Sequence, residues 1–128
     1  MKKYNLLFLF TIVFSLQYSC KTKPNFKYTE SIEVSQVDSI LQNNSEIILV
    51  DVRTPKEHAS GSISNSFNVD VKNDSFLQNI NQFNREDSYL IYCRSGKRST
   101  RAALEMEKLG FQKLYNLKGG YLAWSAEE

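Results

Sequence analysis

Tyr89-Leu90-Ile91-Tyr92-Cys93-Arg94-Ser95-Gly96-Lys97-Arg98-Ser99 passes from four consecutive apolar or aromatic residues into a cysteine, a glycine and three cations. The first four read as a strand that runs straight into Cys93. After the loop, Ser99 to Leu109 reads as an amphipathic helix. Ala102, Ala103, Met106 and Leu109 share one face, and Gly110 stands at its stop. A strand that delivers a cysteine to the start of a helix defines the working end of an open α/β sheet, where ligands bind outside the carboxyl ends of strands.

The same alternation extends outward in both directions. Ile47-Ile48-Leu49-Val50-Asp51-Val52 is the strongest strand, nearly continuous in apolar residues. Ile32-Glu33-Val34, Ser66-Phe67-Asn68-Val69 and Lys113 to Leu117 are shorter ones. Between them, Ser35 reads as the N-cap of a helix with Val37, Ile40 and Leu41 at helical spacing. Thr54-Pro55-Lys56-Glu57 has a capping-box pattern with Pro at the first helical position, and Gly61 ends that turn. A weak helix carries Phe76, Leu77, Ile80 and Phe83, and Gly119-Gly120 opens a last one whose Tyr121, Leu122 and Trp124 read as core packing. Strands alternating with helices and no hairpin signals predict an α/β fold, a parallel sheet with helices on both faces.

Length and composition set bounds on this. The chain has 128 residues, 41% hydrophobic and 23% charged, which suits one globular domain. Its formal charge is +2, from 16 basic and 14 acidic residues; setting aside Lys2 and Lys3 leaves 14 against 14. A neutral body has no footprint for nucleic acid, so functional positive charge must be local.

Lys2-Lys3 and the apolar run Leu6 to Leu16 read as a signal segment over residues 1–19, too short for the roughly 20 residues of a membrane span. Ser19-Cys20 after such a run resembles a bacterial lipoprotein cleavage site, which makes Cys20 a lipidation candidate. Cleavage elsewhere and an uncleaved anchor are the alternatives. The expected organisation is a lipid-anchored tether over 20–28 and a folded domain over 29–128, exported to the bacterial cell envelope and facing the periplasm.

Cys93 is the other of the two cysteines. Two cysteines make no disulfide framework, and an unpaired thiol in an oxidising compartment is a liability unless its reactivity is the point. A free thiol titrates near 8.5, and helix N-termini and nearby cations lower that to roughly 3.5–7.5. Here Gly96 permits unusual backbone angles, the amides of residues 94–99 lead into a helix, and Arg94, Lys97 and Arg98 surround them. Such a nest suits a sulfur anion. One histidine and a spare thiol make no usual zinc site, and no phosphate loop or dinucleotide motif is present, so neither metal nor cofactor is expected.

The segment Cys93 to Arg98 resembles the active loop of single-domain rhodaneses, which reads Cys-Arg-Ser-Gly-x-Arg followed by Ser. Asp51-Val52-Arg53-Thr54-Pro55-Lys56-Glu57-His58 resembles the family's Asp-x-Arg-x-x-x-Glu-Tyr/Phe segment. Gly61-Ser62-Ile63 is similar to its Gly-His-Ile element, with Ser62 in place of His. Lys118-Gly119-Gly120-Tyr121-Leu122-Ala123-Trp124 matches its Gly-Gly-x-x-x-Trp signature. The resemblance implies five parallel strands in order 1-5-4-2-3 and sulfur transfer from thiosulfate or a persulfide to a thiol or cyanide acceptor. It implies Cys93 as nucleophile, with Arg94, Ser95, Gly96, Lys97, Arg98 and Ser99 as the anion and persulfide cradle. A monomer is expected.

Two other functions bear on the same loop. Phosphatases and arsenate reductases of similar geometry read Cys-x5-Arg, whereas Cys93 and Arg98 enclose one residue fewer, a tighter ring suited to a single sulfur. A non-catalytic sulfur-sensing or partner-binding module is the second; retention of the cysteine with its cations speaks against it. Among the remaining polar residues, Asp51 is expected to support Arg98 or the loop amides. Arg53 is expected to pair with Glu57 across a helical turn, and His58 to lack a carboxylate neighbour and any acid–base role.

Overall fold

The computed structural model describes residues 22–128. The signal segment and Cys20 lie outside them. Five strands form one parallel sheet: β1 (Thr29–Ile32), β2 (Ile48–Asp51), β3 (Phe67–Asn68), β4 (Tyr89–Tyr92) and β5 (Leu114–Leu117), in the order β1-β5-β4-β2-β3. Five helices alternate with them: α1 (Val34–Asn43), α2 (Pro55–Ala59), α3 (Phe76–Ile80), α4 (Lys97–Lys108) and α5 (Gly120–Glu127).

Because successive strand residues point to opposite faces, each buried strand feeds two cores. Val50, Tyr89, Ile91 and Leu114 pack with Ala102, Ala103 and Met106 of α4 and Phe76 and Ile80 of α3. Leu49, Leu90, Tyr92 and Leu117 pack on the other face with Val37 of α1, and Tyr121 and Trp124 of α5 press against them. β4 is buried at all four positions. Leu122 departs from the sequence expectation: it is one of the exposed large apolar residues, and Tyr121 and Trp124 alone carry the packing of that turn.

Several boundaries move for identifiable reasons. β1 ends at Ile32, because Glu33 and not Ser35 caps α1: the Glu33 amide donates to Gln36 Oε1 at 2.9 Å. That contact back across three residues starts the helix at Val34. α2 keeps its expected Thr54–Glu57 box, with Thr54 Oγ1 accepting from the Glu57 amide at 3.3 Å. The strand around Phe67 shrinks to two residues, and α3 stops at Ile80, leaving Phe83 beyond it to stack on Tyr89. α4 begins at Lys97, two residues before Ser99, so Lys97 and Arg98 belong to its first turn. Part of the stretch assigned to a tether is docked: Phe26 packs against the α4-side core, and the Lys27 and Tyr28 amides donate to Glu107 of α4.

Candidate active site

Strand β4 carries Cys93 to the carboxyl edge of the sheet, with Asp51 of β2 in register beside Tyr92. Gly96 then takes φ +103, a left-handed angle open to glycine, and caps α4. This turn aims the Gly96 amide at Cys93 Sγ, at 3.1 Å. Burial works against the Cys93 thiolate. Hydrogen bonding from the Ser99 hydroxyl and from the Ser99, Gly96 and Ser95 amides outweighs it and holds the thiol below its ordinary pKa. Ser99 Oγ has one proton: it donates to Gly96 O at 3.1 Å and is available to the sulfur when charge forms there.

A loop between a strand and a helix often leaves its side chains open to solvent. Cys93 is instead 1% exposed and part of the α4-side core, so the loop encloses the sulfur. A second constraint is electrostatic. The first turn of α4 has no acidic residue and contains Lys97 and Arg98. Cations at a helix N-terminus oppose the macrodipole by about 0.3–1 kcal/mol each. Such a violation of local preference concentrates positive potential beside Cys93, which only an anion there would repay.

Three supports hold the loop, and sequence reasoning had identified none of them. The first is α5. The Tyr121 amide donates to Cys93 O at 2.7 Å and the Leu122 amide to Arg94 O at 3.0 Å. A Cβ on Gly120 would lie 2.4 Å from Cys93 O, so the Gly-Gly pair lets a helix N-terminus seat itself directly on the backbone of the Cys93 loop. Second, Asn116 Nδ2 donates to Thr100 Oγ1 at 3.1 Å, which donates to Gly96 O at 2.8 Å, tying the loop to β5. Third, both Glu57 oxygens accept from Arg98, each at 2.7 Å. Arg98 hydrogen bonding, the largest influence, holds the Glu57 carboxyl far below the usual carboxylate range.

The Glu57–Arg98 pair corrects two expectations. Asp51 does not hold Arg98 or the loop amides, and Arg53 does not pair with Glu57. A two-residue spacing lets Arg53 fold back on Asp51, donating to both carboxylate oxygens, with Nη2 at 2.6 Å. Its second Nη2 contact is Gly61 O at 2.7 Å, and its guanidinium lies 4.2 Å from the Tyr121 ring centroid. His58 Nδ1 takes the remaining reach of Asp51, at 2.9 Å, so the lone histidine does have a carboxylate partner. Burial pushes the Asp51 pKa up, but the Arg53 and His58 bonds prevail and keep it low. An ionised acceptor requires the proton on His58 Nδ1. The buried Asp51–Arg53 pair and the partly exposed His58 brace the turn after β2 and make no contact with the sulfur. Arg94, Ser95 and Lys97 are exposed around the loop.

A thiol of lowered pKa inside a ring of amides, at the end of the central strand of a parallel sheet, is an arrangement suited to sulfur or oxyanion chemistry. The chain belongs to the rhodanese-like domain family, whose model matches residues 33–127. It is 35% identical over 106 residues to a protein named thiosulfate sulfurtransferase 18 from Arabidopsis thaliana, covering 73% of this chain and 76% of that one. It is 30% identical over 119 residues to a putative mitochondrial thiosulfate sulfurtransferase of Schizosaccharomyces pombe, covering 84% of each. Among solved structures, a rhodanese-like domain protein from Staphylococcus aureus superposes with a TM-score of 0.66 at 33% identity, covering 74% of this chain and 90% of that one.

Proposed function

We propose that the protein is a thiosulfate sulfurtransferase-like enzyme working through a Cys93 persulfide. The observation that carries this is the Gly96 amide at 3.1 Å from Cys93 Sγ, within a loop that lowers the thiol's pKa. In the first step the Cys93 thiolate attacks the outer sulfur of thiosulfate. A new S–S bond forms, the donor's S–S bond breaks, and sulfite leaves with that bond's electron pair, giving Cys93–S–S⁻. In the second step cyanide or a thiolate attacks the terminal sulfur, forming thiocyanate or a new persulfide and returning the Cys93 thiolate. Neither step requires a proton from a neighbouring acid. The amides of Ser95, Gly96 and Ser99 stabilise each sulfur anion in turn, in a dry site where such dipoles act strongly. Enclosure of the sulfur favours donors that present one slender sulfur atom. Arg94 and Lys97 draw the dianion to the loop.

The N-terminal pattern supports an exported, lipid-anchored protein, with Cys20 acylated and the domain facing the periplasm. Mass spectrometry of the membrane fraction tests this through the N-terminal peptide. For the chemistry, sulfite release from thiosulfate with cyanide as acceptor is the direct assay. Cys93→Ser should abolish turnover, since a hydroxyl with no adjacent base is no nucleophile at neutral pH. More than trace activity in that variant would reject Cys93 as the nucleophile. A wild-type protein that transfers no sulfur would favour a binding module.

A further inference from the structure

The loop's positive charge does not end at the loop. Next to Ser95 a groove of about 670 Å³ runs along the outer side of α4, lined by Lys97, Arg101, Leu104 and Lys108 of that helix and by Lys72. Residues 97, 101, 104 and 108 follow one another at helical spacing, opposite the buried Ala102, Ala103 and Met106. The body of the protein is balanced in charge, yet this groove gathers five cations, counting Arg98, against one carboxylate, Glu105. Arg98 is held by Glu57, and Lys108 by Glu105 at 2.9 Å. Lys72, Lys97 and Arg101 form no ion pair among the described residues. Two further carboxylates stand beside it: Asp74 borders the neighbouring depression with Lys72 and Arg101, and Asp70 acts on Arg98, while the groove's own lining stays cationic.

We propose that this groove docks an acidic segment of a thiol-bearing acceptor protein, holding the acceptor's cysteine at Cys93. The proposal rests on the sulfurtransferase assignment and names its partner. From Lys97 to Lys108 the helix rises about 16 Å, the length of about five extended residues and far more than thiosulfate fills. The near end of the groove is Ser95 of the catalytic loop, so its occupant lies where an acceptor must arrive. A peptide with carboxylates along it satisfies the free cations while its apolar atoms cover Leu104. A nucleic acid or a lipid surface would meet the charges but bring no thiol. In the transfer, the acceptor thiolate attacks the terminal sulfur of Cys93–S–S⁻. The acceptor gains that sulfur as its own persulfide, and the Cys93 thiolate leaves.

The test uses two synthetic peptides, a cysteine followed by alternating Glu and Asp, and the same peptide with Gln and Asn. Sulfur transfer to each, and to cyanide, is measured with the full chain and with the Lys72→Glu/Arg101→Glu double variant. Binding is read separately with the peptides' cysteine replaced by serine, so that it does not depend on catalysis. Each exposed charge contact contributes roughly a few-fold, so the acidic peptide should be preferred about tenfold or more at low salt. The preference should fade as salt is added. The double variant should lose it while keeping its rate with cyanide. Equal use and equal binding of the two peptides, or a preference that survives in the double variant, would overturn the proposal. So would binding to phosphatidylglycerol-containing vesicles, lost in the double variant, without any preference between peptides, which would make the groove a membrane face. If cyanide itself receives no sulfur, the enzymatic assignment fails, whereas the binding arm still decides the groove.

Discussion

Replacing Gly120 with alanine should disable the site from 27 residues away in sequence. The new Cβ would sit 2.4 Å from Cys93 O and 2.7 Å from both C and O of Arg94, all inside the 3.0 Å limit of real Cβ contacts. These are backbone atoms, so no rotamer change relieves the clash: α5 or the catalytic loop must move. Movement strains the Tyr121 bond to Cys93 O (2.7 Å) and the Leu122 bond to Arg94 O (3.0 Å). Two such bonds at about 1 kcal/mol each, plus about 1 kcal/mol for alanine at φ +58, give a loss of about 3 kcal/mol. Displacing the sulfur cradle by about half an ångström should lower kcat/KM by about tenfold. Gly110→Ala is the control. It stands at φ +95 with nothing within 4 Å, so it bears backbone strain without touching the loop. Thermal unfolding and sulfite release should separate the two: Gly110→Ala loses some stability and keeps its kcat/KM, and Gly120→Ala loses both. Equal activity in the two variants would refute the claim that α5 seats the catalytic loop.

Three further perturbations test the electrostatics. Ser99→Ala should raise the Cys93 pKa, moving the pH profile of iodoacetamide alkylation upward and slowing it at neutral pH by roughly tenfold, the worth of one hydrogen bond to an anion. An unmoved profile would show that the amides suffice. Glu57→Gln removes a two-pronged pair whose side chains are 29% and 20% exposed, and solvent limits its worth to about 1 kcal/mol, several degrees in Tm. Because the folded pKa of Glu57 is depressed, its stabilisation is present above the ordinary carboxylate value of about 4.3 and lost as pH falls below it. The variant should therefore differ from wild type at pH 7 and converge with it in acid, and a constant gap would contradict the pairing. Arg94→Gln and Lys97→Gln should each raise KM for thiosulfate about tenfold or less, with the effect shrinking in salt. Losses independent of salt would assign these cations to loop geometry.

The sheet was legible because its signals are local and strong. The β4 run, the β2 run and the Thr54–Glu57 box each predict their element, and motif spacing located Cys93 and its loop. What escaped was partnership across the sequence. Glu57 and Arg98 are 41 residues apart, and no period or propensity links them. Asp51 had several cations within plausible reach. Only the folded turn shows that Arg53 and His58 occupy its oxygens and leave none for Arg98. The Gly119-Gly120 pair was recognised as a signature without its cause, the contact with Cys93 O, which requires both elements to be in place. The early start of α4 was missed because Lys97 and Arg98 are poor first-turn residues, and the site's chemistry overrides that preference.

The central claim is that sulfur rests covalently on Cys93 between the two half-reactions. Intact-mass and peptide mass spectrometry after brief exposure to thiosulfate, without an acceptor, tests it most directly. A gain of one sulfur atom on the peptide containing Cys93, discharged by cyanide and absent in Cys93→Ser, is the predicted result. Turnover with no mass gain, or a gain that survives in Cys93→Ser, would contradict it.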